Sequence, residues 1–159
     1  GRVAACLLDE LDTEHEMMLS DADLWPLNKD LFYLPKGKSL MVLNAFAMSY
    51  FSHMDNQKYR MYPMAHIVTS VKNWKSIIQQ GTTNCPSSAS SIIHYFEDEV
   101  GSIASKPVTK GGNPGWFMDQ KLVSIRIHQW MATLKDNSSV LLVPRSTSID
   151  RIDRGGYKS

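Results

Sequence analysis

Cysteine is scarce: Cys6 and Cys85 are the whole supply, and they stand too far apart to make a metal-ligand spacing. Two buried thiols are therefore expected, not the disulfide framework of a small secreted domain. No apolar run approaches the ~20 residues that a membrane span requires. The longest candidate, Leu40 to Phe51, is interrupted by Asn44 and Ser49, so no membrane partner is expected. The first residues, GRVAACLLDELD, meet acid where a signal peptide would have its cleavage site, and an intracellular location follows as the expectation. Without a secretory signal, Asn137-Ser138-Ser139 carries little weight as a glycosylation acceptor. Internal repeats at solenoid periods are absent, as are HExxH, GxSxG and GxxxxGK[ST] patterns.

What is present suits one globular domain. Of 159 residues, 43% are hydrophobic and 21% charged, outside the range of disordered chains. A domain over 1–144 and a polar, basic, mobile tail over 145–159 are expected. The net charge of +1 hides a split. Residues 1–35 carry eight acids against Arg2 and Lys29, whereas residues 36–81 carry six bases against Asp55 alone. An acidic segment facing a basic body, or a basic surface for an anionic partner, would each give this pattern.

Apolar periodicity predicts an all-α domain of about five helices, with a short extended segment near the C-terminus. Val3, Leu7, Leu8, Leu11 and Met18 suggest a first helix over 3–19, broken by Ser20-Asp21-Ala22-Asp23. Pro26 and Pro35 punctuate an irregular connection with one helical turn. Leu40 to about Asp55, apolar nearly all round, reads as a central buried helix. Thr69 or Ser70 caps a third helix whose buried ridge is Val71, Trp74, Ile77 and Ile78, with Gly81 as its stop. A fourth helix begins near Pro86, and a fifth runs from about Met118 to Leu134. A Gly- and Pro-rich loop over 105–115 separates these two, and SVLLV (139–143) reads as extended.

The histidines are scattered singly, and each reads as a solvated or core residue rather than a metal ligand. Glu97, Asp98 and Glu99 with Lys106 suggest a metal-dependent nuclease only if they converge, and a charged helix end is the simpler reading. The chain is read as non-catalytic, with no cofactor and no metal. The bases remain: Lys72 and Lys75 on the third helix, Lys106 and Lys110 on the loop, Lys121 and Arg126 on the fifth helix, and Arg145 in the tail. Gathered on one surface, they would neutralise nucleic-acid phosphates and release counterions.

The stretch VTSVKNWKSIIQQG followed by CPSSASSIIHYF resembles the C-terminal DNA-binding domain of fungal activators of glycolytic genes. Val71, Trp74, Gly81, Pro86 and Ser87 fall in that family's order, and the resemblance covers roughly 66–134. The family's paired arginines are unmatched, since Trp116 precedes Phe117 and Arg126 precedes Ile127. The resemblance implies a helical, nuclear domain that binds double-stranded DNA, and the missing pairs weaken base readout. The competing expectation is an interaction or self-assembly domain, viral or chromosomal. In that reading the acidic N-terminal helix of one copy meets the basic body of another, or meets a protein partner.

Overall fold

A computed structural model describes residues 5–8, 10–21, 25–26, 29–52, 56–80, 88–100, 117–144 and 151–152. The fold is mixed α/β, which corrects the all-α expectation. Eight strands are found among these residues: β1 (Glu16–Leu19), β2 (Trp25–Pro26), β3 (Leu40–Leu43), β4 (Tyr50–Ser52), β5 (Lys58–Arg60), β6 (Ile67–Ser70), β7 (Val140–Val143) and β8 (Arg151–Ile152). Three α-helices accompany them: α1 (Val71–Ile78), α2 (Ala89–Val100) and α3 (Met118–Thr133). A 3-10 turn covers Lys29–Phe32.

The centre is a four-stranded sheet in the order β1-β6-β3-β7. Strand β6 is antiparallel to both β1 and β3, and β7 is parallel to β3. Its pleat sorts the core into two layers. Leu40, Val42, Ile67 and Leu19 point to one side, where they join Trp74, Ile77 and Ile78 of α1 and Leu122, Val123, Ile127 and Trp130 of α3. Met41, Leu43 and Val68 point to the other side, where Phe32 and Leu34 cover them. The remaining strands make two-stranded ribbons, β2 with β8 and β4 with β5.

This two-sided burial explains the mistaken helices. All four residues of β3 are buried, so LMVL shows no alternation and its apolar run mimics a core helix. The helix expected over Leu40 to Asp55 is instead β3, a turn and β4. The helix expected over 3–19 gives way to β1 at its C-terminal end. The third, fourth and fifth helices do form, as α1, α2 and α3, and SVLLV becomes β7. Gly81, Pro86 and the loop over 105–115 lie outside the described residues.

Helix α1 follows β6 without a loop, and its exposed amides are satisfied locally. Ser70 caps it, its Oγ accepting from Asn73 N at 3.2 Å. The carbonyls of His15 and Thr13 accept from Val71 N at 2.9 Å and Lys72 N at 3.0 Å. Trp74 is fully buried and donates its indole N–H to the Met17 carbonyl at 3.3 Å, tying the helix to β1.

Candidate functional site

The basic residues singled out in the sequence differ in their surroundings where they are described. Lys72 is exposed on α1 and Lys75 is half-buried in its last turn. Lys121 is half-buried, its ammonium 5.8 Å from the centre of the Phe51 ring. Arg126 is buried: it pairs with Glu99, and it donates Nε to the Tyr95 hydroxyl at 3.2 Å and Nη1 to Gln129 Oε1 at 2.8 Å. It therefore braces α2 against α3. Lys106, Lys110 and Arg145 lie outside the described residues.

The acids of α2 are likewise engaged one by one. Glu97 sits 3.3 Å from His94 Nδ1 at the surface, while Glu99 turns inward to Arg126. Among the described residues no group of three or more His, Cys, Asp or Glu side chains could by itself hold a metal ion.

The sheet brings other residues together. Since β6 is antiparallel to both β1 and β3, and β7 is parallel to β3, strands β1, β3 and β7 all run in one direction. Their carboxyl ends share one edge. Leu19, Ile67, Val42 and Leu142 form a row across the sheet. Two residues beyond that row, β1 reaches Asp21 and β3 reaches Asn44, with β6 entering between them through Ala65 and His66.

This edge also holds unusual backbone. Asn44 and His66, both buried, adopt φ of 57° and 65°. Asparagine and histidine enter this left-handed region more readily than most side chains, still at some cost. The pair is locked: Leu43 N donates to the His66 carbonyl at 3.1 Å, and Ala45 N donates to that of Val143 at 3.0 Å. The His66 ring packs on Phe32 at 4.5 Å.

Asp21 opens the sequence Asp21-Ala22-Asp23, immediately past a strand end and partly exposed. Asp23 itself lies outside the described residues. Two residues after it, Trp25 and Pro26 pair in register with Ile152 and Arg151. Asp21 thus follows the central sheet, and Trp25-Pro26, four residues on, pairs with the C-terminal segment. Hard carboxylate oxygens suit Mg²⁺ or Mn²⁺, and Mg²⁺ is commonly held by one or two carboxylates with substrate phosphates completing its shell. Asp21, half-buried at this edge, could supply one such carboxylate.

Past Asn44 the chain enters a turn and then β4. Ala47 N donates to the Asn44 carbonyl at 2.9 Å, closing a turn that carries Phe46 outward. Phe46 and Tyr50 are exposed, and the Arg60 guanidinium carbon lies 5.2 Å and 4.5 Å from their ring centres. Behind them His128 stacks on Tyr62 at 5.0 Å, with its Nε2 3.2 Å from the Arg60 carbonyl oxygen. Gln120, in the first turn of α3, touches the Met48 sulfur.

Sequence reasoning took Ser20-Asp21-Ala22-Asp23 for a helix breaker. Two acids at i and i+2, directly after an apolar run, were the available signal. Its meaning depended on recognising Glu16–Leu19 as a strand. Comparison with family models, with curated proteins and with solved structures returned no match.

Proposed function

We propose that the protein is a divalent-cation-dependent transferase acting on a nucleoside diphosphate donor, with an activated sugar as the transferred group. One observation carries this reading: Asp21-Ala22-Asp23 begins two residues past the end of β1, at the edge where the three like-directed strands end. In open α/β sheets ligands bind in the crevice outside the carboxyl ends of strands.

The chemical class is chosen from what paired carboxylates can do. Phosphoryl transfer from a nucleoside triphosphate commonly relies on a glycine-rich cradle with its lysine, and the chain has no such pattern. A diphosphate that departs whole from a carbon atom needs less. A cation held by Asp21 and Asp23 would offset the charge that grows on the departing diphosphate. The donor's C–O bond to the diphosphate breaks, its electron pair leaving with the nucleoside diphosphate. An acceptor hydroxyl forms the new C–O bond and gives up its proton to a carboxylate or to water. Asn44, just past β3, and His66, just before β6, are both buried at this edge. This proposal departs from the non-catalytic expectation drawn from the sequence alone.

The test is calorimetric titration of UDP, GDP, ADP and CDP into the protein with and without Mn²⁺. At least one nucleotide should bind only with the metal, and Asp21→Asn should weaken it at least about tenfold, since even outer-shell partners of a metal contribute that much. No metal-dependent binding of any of the four would sink the idea.

A second reading, binding of double-stranded DNA, keeps Lys72 as its support, an exposed base on a well-formed helix. Arg126 no longer contributes to it, and the helical domain implied by the fungal resemblance is replaced by a mixed sheet. Duplex binding whose affinity falls steeply with salt and weakens in Lys72→Ala would favour it.

A further inference from the structure

We propose that residues 46–52 and 56–61, the two limbs of the β4–β5 ribbon, swing off α3 as a unit when His128 takes up a second proton, while the central sheet stays closed. The ribbon runs between two fixed points. Before it, Ala45 is fully buried and its N–H is held by the Val143 carbonyl. After it, Tyr62 is buried in the core with Trp74 and Ile127. Between these points every described side chain is exposed or half-buried except that of Tyr59. Tyr59 in turn belongs to neither apolar cluster of the core.

Helix α3 supplies the anchorage at regular helical spacing. Gln120, Ser124 and His128 stand four residues apart and so share one face. Gln120 touches the Met48 sulfur, the Ser124 hydroxyl accepts from Tyr62 N at 2.8 Å, and His128 Nε2 lies 3.2 Å from the Arg60 carbonyl oxygen. The His128 ring also packs on both tyrosines, 5.7 Å from the Tyr59 centre and 5.0 Å from that of Tyr62. One imidazole thus meets the ribbon's buried side chain, its backbone and its fixed end.

A neutral ring suits this place, its Nε2 carrying the hydrogen that the carbonyl accepts. A second proton, on Nδ1, puts a full charge on a half-buried ring. The groups facing it are Tyr59 and Arg60 from β5 and Tyr62 beyond them, and none is a carboxylate. Two turns earlier on α3, Lys121 adds another cation, set over Phe51 of β4. Tyrosine faces attract a cation, yet they replace only part of the hydration it loses. Burial pulls the His128 pKa below 6.5 against its hydrogen bond to the Arg60 carbonyl, and the Arg60 charge adds to the fall. An opened ribbon returns the ring to water and to its ordinary pKa, so acid favours the open state. The ribbon is held above pH 6.5 and released as pH falls through the lowered value.

Hydrogen–deuterium exchange on the whole chain, read at about pH 7.5 and about pH 5 and corrected for intrinsic exchange rates, tests this. Protection over Tyr50–Ser52 and Lys58–Arg60 should fall several-fold at the lower pH, each unit of pKa difference between closed and open ribbon being worth about tenfold. Protection over Leu40–Leu43 and Ile67–Ser70 should hold. His128→Gln keeps a donor for the Arg60 carbonyl but gains no proton, so its ribbon should lose this pH dependence. His128→Phe, which keeps the ring contacts, gives the same reading if the Gln variant does not fold. No selective loss in the wild type, an equal loss in the sheet strands, or an undiminished pH effect in the variants overturns the proposal.

Discussion

At the scale of single residues, burial decides what each group can do. Cys6 is fully buried, and burial pushes its thiol up to about 12, so it carries almost no thiolate near neutrality. Iodoacetamide at pH 8 should leave Cys6 unmodified in the folded chain and alkylate it fully in denaturant, read by peptide mass spectrometry. His128 gives a pH signature. Burial pulls its pKa below the ordinary 6.5, opposed by its hydrogen bond to the Arg60 carbonyl and assisted by the nearby Arg60 charge. A folded-state pKa below the unfolded one favours the neutral ring in the fold. Its contribution is complete above pH 6.5 and is lost as pH falls through the folded value. The melting temperature of the wild type should therefore drop more steeply below pH 6.5 than that of His128→Phe, which has no ring proton to gain. Residues of this kind were partly legible beforehand. Trp74 and Trp130 announced themselves as core by their spacing, and both are buried. Arg126 looked like a surface cation, because nothing in its neighbourhood along the chain reveals Glu99 and Tyr95 waiting across α2.

Among the elements, α1 is the one whose sequence and structure agree most closely. Its cap, its buried ridge and its length are local properties, so they survive without knowledge of the rest. Ser70→Ala should lower unfolding stability in urea by about 1 kcal/mol through loss of the bond to Asn73 N. Arg126→Ala should cost more, about 3–5 kcal/mol, because it leaves Glu99 without its partner on a largely covered surface. Glu99 keeps some solvent contact, so the lower end of that range is expected. Strands were less legible than helices for a physical reason. Period-two alternation appears only when one face of a strand meets water, and β3 has core on both sides. Strand β1, with only Leu19 buried among its four residues, offered too short a pattern to override the helical spacing upstream.

For the whole molecule, the candidate site is a product of topology and could not be read along the chain. Asp21 and Asn44 leave the sheet at the same edge because β1 and β3 share a direction, a property fixed by pairings between distant segments. The C-terminal segment belongs to this architecture too, since Arg151 and Ile152 pair with the residues just after the acidic motif. A chain ending at Pro144 should keep its far-UV circular dichroism but lose metal-dependent nucleotide affinity several-fold. Unchanged affinity would separate that ribbon from the site.

The parallel pairing of β3 with β7 has a consequence for how the protein comes into being. It is anchored by Lys38, whose ammonium reaches the carbonyl of Ser138 100 residues later. On the ribosome, the crevice edge stays incomplete until β7 emerges, when most of the described chain has already been made. Until then β3 offers one bare flank and unprotected apolar surface to any chaperone or neighbouring nascent chain. Contacts of such long sequence separation slow folding and lengthen exposure to aggregation. Synthesis rate and chaperone supply should therefore govern the soluble yield of this protein more than the stability of its finished fold.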